Sequence, residues 1–208
     1  MVGNETHRSS AEGRETRHEV GRPATTQFEE VSVVGERLGP HELVGYDGPE
    51  PVEDGDTFEA NALIKARVAA DVTGARWIVR VCADNPFVDG REIDRLVAFF
   101  TETAADYACN HLDRFGSGYA DGFGAEIVTS QALRTAGALA DPAEREHVTA
   151  YVWRRPGQFR VAALPAPTAL RAPSLRFDVD TIEDLARLQP LAAFGFEADA
   201  ETFVRAVQ

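Results

Sequence analysis

Two aspartates stand where a layered α/β chain would place chemistry. Asp84 follows Trp77-Ile-Val-Arg-Val-Cys-Ala83, an almost unbroken run of apolar and β-branched residues. That run is the length of a strand and too uniformly apolar to have a wet face, so it predicts a central strand of a covered parallel sheet. Asp84-Asn85-Pro86 then breaks it, because proline donates no ladder hydrogen bond and restricts the residue before it. Asp84 is left at the carboxyl end of a buried strand, where open α/β sheets bind ligands. Asp180 closes Leu175-Arg-Phe-Asp-Val-Asp180, in which Leu175, Phe177 and Val179 alternate with Arg176, Asp178 and Asp180. Period-two geometry puts both carboxylates on one face. Side by side, Asp84 and Asp180 would offer the hard oxygens that Mg2+ takes at roughly 2.1 Å, leaving its other positions to water and phosphate oxygens. Asp84 equally suits a plain βα turn, and Asp180 a helix cap; Asp178 reads as a supporting sheet-face residue.

Further polar groups sit at turns. Asp121-Gly-Phe-Gly-Ala-Glu126 carries two glycines that permit close backbone approach, flanked by acids able to accept hydrogen bonds from hydroxyls. The same pattern is a glycine turn into a strand from Ala125 to Val128. Asp141-Pro142-Ala143-Glu144 is a helix start with proline in the first turn and a capping box, and Arg145, Glu146 and His147 continue that helix. Arg145 suits either an anion or a neighbouring acid, and His147 either a substrate or a packed structural position.

The elements that must hold these groups are readable on both sides. After the Asp84 turn, Asp89 is a cap, Glu92 completes a capping box, and Ile93, Leu96, Val97 and Phe100 recur on one helical face. Thr181 caps a last-third helix with Glu183 and Asp184 in its first turn, favourable at the positive end of the dipole. Upstream, Asp56-Thr-Phe-Glu59 precedes an alanine-rich helix through Ala62, Leu63, Ala66, Ala69 and Ala70, which ends at Gly74. Residues 29–74 also hold a weak strand signal at Val31 to Val34 and a turn-rich passage from Gly45 to Gly55. Residues 1–28 have no period that would bury a face and read as a disordered tail.

Composition narrows the class. The chain has 208 residues, enough for one well-buried α/β domain over residues 29–208, with a formal net charge of -13. Lys65 is its only lysine, so any nucleotide would depend on arginines or a divalent cation. That balance argues against a nucleic-acid surface. Cys82 and Cys109 form no disulfide framework and read as core thiols in a reducing cytoplasm. No apolar run reaches membrane-spanning length.

Two resemblances attach to these motifs. Pro51-Val-Glu-Asp-Gly-Asp-Thr-Phe-Glu-Ala-Asn-Ala-Leu-Ile-Lys-Ala-Arg67, followed by Thr73-Gly74, resembles an element of the inosine-triphosphate pyrophosphatase family, with Ala60 where that family has a magnesium-binding Glu. From residue 75 onward, the Asp84 run, Ala105-Asp-Tyr-Ala-Cys-Asn-His111, Asp121 to Glu126, Glu144 to Thr149 and Leu175 to Leu185 resemble, in order and approximate spacing, the cytidylyltransferases related to spore-coat polysaccharide biosynthesis proteins and CMP-sugar synthetases. This second resemblance implies a Rossmann-like nucleotide-diphospho-sugar transferase sandwich. It also implies transfer of CMP from CTP to an acyl- or phospho-sugar with release of pyrophosphate, for surface polysaccharide assembly. It casts Asp84 and Asp180 as catalytic magnesium ligands, and Asn85, Asn110, His111, Asp121, Glu126, Arg145, Glu146 and His147 as the substrate side. The relatives are commonly dimers. Their Arg-rich phosphate loop of the type Gln-Ala-Arg-x-x-Ser-x-Arg-Leu-Pro-Gly-Lys is not found in residues 1–76, so the core reads as N-terminally incomplete. The alternatives are a catalytically inactive member that binds a sugar or a partner, and a pyrophosphatase acting on non-canonical nucleotides.

Overall fold

The computed structural model describes residues 51, 52, 54, 58–145, 147, 149–195 and 197–208. The tail over residues 1–28, the strand signal at Val31 to Val34, most of the turn-rich passage and the cap at Asp56 and Thr57 lie outside the described residues. Helix α1 (Phe58–Thr73) leads into strand β1 (Trp77–Arg80). Then follow α2 (Gly90–Thr103), β2 (Tyr107–Cys109), β3 (Glu126–Thr129), α3 (Ser130–Leu139), α4 (Pro142–Arg145), α5 (Ala150–Trp153), β4 (Val161–Ala163), α6 (Ile182–Leu188) and α7 (Ala200–Val207). Three short 3₁₀ turns interleave at Arg114–Gly116, Thr168–Leu170 and Gln189–Phe194. Among the described residues, no helix is long and apolar enough to cross a membrane.

The strands form a mixed sheet in the order β1-β3-β2-β4. β1 and β2 both run antiparallel to β3, and β2 runs parallel to β4. This corrects the expected central parallel strand: β1 stands at one side of the described sheet and its neighbour runs the other way. An apolar run reports that both faces of a strand are covered and is silent on direction. It is also shorter than expected, ending at Arg80, whose guanidinium turns to Glu126 on β3.

Side chains alternate across the sheet into two cores. Trp77, Val79, Ala108 and Ile127 pack with Ile93, Leu96 and Phe100 of α2 and with Phe203 and Val204 of α7. On the other face, Ile78, Tyr107, Cys109 and Val128 pack with Ala132, Leu133 and Ala136 of α3, with Tyr151 and Val152 of α5, and with Ala66 of α1. The result is a three-layer α/β/α sandwich, as expected.

The caps explain where the helices begin. Asp89 accepts from the Arg91 amide at 3.0 Å and, with its second oxygen, from the Ala200 amide that opens α7 at 2.9 Å. One buried carboxylate therefore fixes two helix starts. Glu92 does not complete the expected capping box; its carboxylate instead accepts from the Tyr119 hydroxyl at 2.6 Å and from Arg95 at 2.7 Å. Thr181 and Asp184 do form a capping box on α6, and Asp141 with Glu144 forms one on α4.

Candidate functional site

Three chain segments meet at one end of the sheet. The Asp84 turn lies against Leu175 to Asp180, because the Val179 amide donates to the Asp84 carbonyl at 2.8 Å. The Asp121 loop joins on the other side: the Asp121 amide donates to Leu175 O at 3.0 Å and the Phe177 amide to Asp121 O at 2.9 Å. Residues 175–180 are thus held by a single bridge, Asp121 with Arg176, rather than as a strand. Their alternation is realised all the same. Phe177 is buried against Phe123, with ring centroids 4.4 Å apart, while Arg176, Asp178 and Asp180 share the opposite side. Phe87 and Phe203 stack at 4.5 Å beside them, so an aromatic cluster lies under the loops that carry Asp84, Asp121 and Asp178.

Above that cluster is a cavity of about 430 Å³. Asp84 and Asp180 both line it, together with Asp121 and Asp178. Their charges feel one another. Burial pushes the Asp84 carboxyl above its usual range, and the charges of Asp180 and Asp178 add to that push. Asp121 is raised to about 6, by burial first and then by Asp178. Arg176 compensates in part, pairing with Asp178 and reaching Asp180 at 2.8 Å. Asp180 does not cap α6, a role Thr181 fills. Among the described residues, no three His, Cys, Asp or Glu side chains are arranged to hold a metal ion between them. A hard cation would therefore rest on two carboxylates such as Asp84 and Asp180 and take its remaining oxygens from water and phosphate, which is how Mg2+ is usually bound.

A second group of charges centres on Glu126. It stands at the start of β3, directly opposite Arg80 on β1 and Cys109 on β2. Its carboxylate accepts from Arg80 at 3.0 Å, from the Tyr107 hydroxyl at 2.6 Å and from the Thr149 hydroxyl at 2.9 Å. Burial alone would raise its pKa, but His111, Arg80, the Tyr107 hydrogen bond and Arg114 outweigh that and hold it below the ordinary carboxylate range. Arg114 lies 3.9 Å from Glu126 and stacks over the Trp153 ring at 4.0 Å from its centroid. Arg154 approaches the same ring at 5.0 Å.

The substrate-side residues divide. Asn85, His111, Asp121, Glu126 and His147 line the cavity. Asn110 does not: its side-chain amide donates to Glu92 O at 2.8 Å and its oxygen accepts from the Ala125 amide at 3.0 Å. It is a buried tie between the start of α2 and the loop before β3. His147 lies beyond α4 rather than inside it, because that helix ends at Arg145. The side chain of Arg145 and all of Glu146 fall outside the described residues. Cys82 also faces the cavity instead of sitting wholly in the core, and burial pushes its thiol up to about 11. Sequence reasoning passed over Arg80, Arg114, Thr149, Trp153 and Arg154, which line the same space. One signal was available: Arg80 is a charge inside an otherwise apolar strand.

Fold and cavity together define an α/β/α sandwich with a charged cleft at one end of its sheet. The chain overlays a cytidylyltransferase from Leptospira borgpetersenii serovar Hardjo-bovis with a TM-score of 0.61 at 24% identity, covering 70% of this chain and 61% of that one. It is 32% identical over 117 residues to the spore coat polysaccharide biosynthesis protein SpsF of Bacillus subtilis (strain 168), covering 55% of this chain and 46% of the relative. A stretch of 42 residues is 64% identical to the dITP/XTP pyrophosphatase of Leifsonia xyli subsp. xyli (strain CTCB07), covering 20% of this chain and 21% of the relative. No protein-family model matches the chain. The chain spans less than half the length of these curated relatives. Both resemblances read in the sequence, to the cytidylyltransferases and to a pyrophosphatase fragment, are borne out.

Proposed function

We propose that this chain carries the acceptor side of a nucleotidyltransferase that moves CMP from CTP to an acyl- or phospho-sugar and releases pyrophosphate, in the assembly of a surface polysaccharide. The observation that carries the reading is the meeting of Asp84 and Asp180 in one cavity, although 96 residues separate them in the chain. In the reaction, an acceptor oxygen bonds to the α-phosphorus of CTP as the bond to the pyrophosphate oxygen breaks. A magnesium ion on Asp84 and Asp180 would supply charge compensation for the phosphates. The chain's own residues do the rest. Asp121, on a loop pinned between Leu175 and Phe177, accepts a hydrogen bond from an acceptor hydroxyl, and Asn85 offers a buried side-chain amide.

The test is release of pyrophosphate from CTP with Mg2+ and a panel of acyl- and phospho-sugars. Asp84→Asn and Asp180→Asn are expected to lower the rate at least a hundredfold. Absence of release with any acceptor at high protein concentration removes the reading. A second reading is favoured by one observation: Arg176 already pairs with Asp178 and Asp180. In that reading the chain binds a sugar, or a partner, without turnover. Calorimetry that detects a sugar but no CTP selects it.

A further inference from the structure

The charged groups around the cavity form two overlapping electrostatic neighbourhoods, joined by Arg80, which also acts on Asp84. Asp84, Asp121, Asp178 and Asp180 act on one another, with Arg176 among them. Arg80, His111 and Arg114 act on Glu126. Glu126 is engaged on both oxygens: one receives Arg80 and the other receives Tyr107 and Thr149. What it does is fix the arginines, and Trp153 fixes the plane of Arg114.

The donors in this neighbourhood exceed the acceptors. Among the described residues, the Arg114 Nε and Nη1 and Asn85 Nδ2 donors are buried without a hydrogen-bond partner, and His111 Nδ1 is a further buried polar atom without one. Asn85 and His111 are each only 6% exposed, and both line the cavity. Buried donors are normally satisfied, because an unmade hydrogen bond costs about 1–3 kcal/mol. A planar guanidinium held by stacking, with unused N–H groups, is preorganised for a two-oxygen anion. Burial keeps the His111 imidazole neutral, so the positive charge here is that of the arginines.

We propose that Arg80 and Arg114, anchored by Glu126 and Trp153 and joined by Asn85, form a subsite for an oxyanion carried by the sugar acceptor, either a carboxylate or a phosphate monoester. The proposal rests on the transferase reading only for the word acceptor; the anion subsite itself is independent of turnover. Glu126 is then a positioning residue. The carboxylate cluster at Asp84 repels an anion, so the two neighbourhoods orient a charged sugar one way round in the cavity.

The test is equilibrium binding by calorimetry to the full chain, without nucleotide. D-glucuronate and its methyl ester form one pair, and glucose 1-phosphate and glucose the other. At least one acid is expected to bind ten times more tightly than its neutral counterpart, and the pair that shows the difference identifies the carboxylate or the phosphate as the source. Arg114→Gln is expected to erase that preference, while Arg134→Gln, at the distant surface pair with Asp71, keeps it. Arg80→Gln, at a residue whose side chain is 31% exposed, carries the same test where Arg114→Gln does not fold. Equal binding of acid and neutral forms, no binding of either acid, or a preference retained in both arginine variants overturns the subsite. So does a loss of CTP affinity in Arg114→Gln with acid binding intact, which would give the arginines to the nucleotide. Acid binding without pyrophosphate release keeps the subsite and removes the transfer reading. Release of pyrophosphate with a neutral acceptor, undiminished in Arg114→Gln, does the reverse.

Discussion

Glu126→Ala is the substitution that most directly tests how the site is held. The carboxylate is buried, and its removal strands two hydroxyls, that of Tyr107 inside the fold and that of Thr149 at the cavity wall. Each stranded hydroxyl costs about 1–3 kcal/mol. The third partner, Arg80, retains 31% exposure and is partly screened by solvent, so its loss adds about 1 kcal/mol. The terms add to about 3–7 kcal/mol, and water entering from the cavity beside Thr149 brings the expected cost to the lower part of that range, about 3–5 kcal/mol. Glu126→Gln keeps the shape and one acceptor oxygen, and is expected to cost about 1–2 kcal/mol. The pH dependence has a definite sign. The folded carboxyl lies below its ordinary value of 4.5, so its contribution is present above that value and is lost as pH falls through the lower folded pKa. The stability gap between native chain and Glu126→Gln should therefore be flat from about pH 6 to 8 and close below about pH 4.5. Urea unfolding followed by the fluorescence of Trp77 and Trp153 reads both quantities. A Glu126→Ala cost under about 1 kcal/mol, or a gap that persists unchanged into acid, would refute the account.

Three further outcomes follow from other parts of the site. Gly122 has φ +109 and a Cβ there would lie 2.8 Å from the Phe177 carbonyl carbon, so Gly122→Ala is expected to cost about 3 kcal/mol, and an unchanged Tm would contradict the close approach. Cys82, with its thiol at about 11, is expected to be alkylated by iodoacetamide at pH 8 about tenfold more slowly than a free cysteine, the loss of thiolate being partly offset by its greater nucleophilicity; reaction at the free rate would contradict the burial of the thiol. Thr181→Ala removes one half of the α6 capping box and is expected to cost about 1 kcal/mol, with faster amide exchange over Ile182 to Leu185 as the local signature.

Much of this geometry was legible because it is local. The alanine-rich helix and its end at Gly74, the apolar face of α2, the caps at Asp89 and Thr181 and the alternation of residues 175–180 all follow from spacing and capping chemistry that act within a few residues. The meeting of Asp84 with Asp180 was legible one level up, from two strand-like ends and the resemblance. What escaped depends on partners remote in sequence. Strand direction is set by which neighbour pairs, and β1 paired with a reversed β3. Glu92 left its capping box because Tyr119 and Arg95 offered better partners. Asn110 and Glu126 look like substrate ligands in a motif, and only the fold shows that their polar atoms are spent on Glu92, Ala125, Arg80, Tyr107 and Thr149. Arg114 gave no signal at all, since its meaning comes from Trp153, across a bend in the chain.

The seat of α1 bears on how the two resemblances coexist in one chain. This helix, whose sequence resembles the pyrophosphatase element, is alanine-rich, and among its described side chains only Ala70 is buried, so it has little apolar area fully removed from water with which to hold itself in place. Its hold comes from fitted contacts on α3. Ala66 enters the core beneath the sheet, Asp71 pairs with Arg134 at 2.5 Å, and Arg67 lies over Gly137, where any Cβ would collide with its guanidinium. The joint is tied as well: after Gly74, at φ +67, the Ser130 amide donates to Arg76 O at 2.9 Å and the Ser130 hydroxyl to Ala75 O. Together the core contact of Ala66, the Asp71–Arg134 pair and the Ser130 tie make α1 part of the layer that covers β1 and β3, and through β3 it supports the strand on which Glu126 stands.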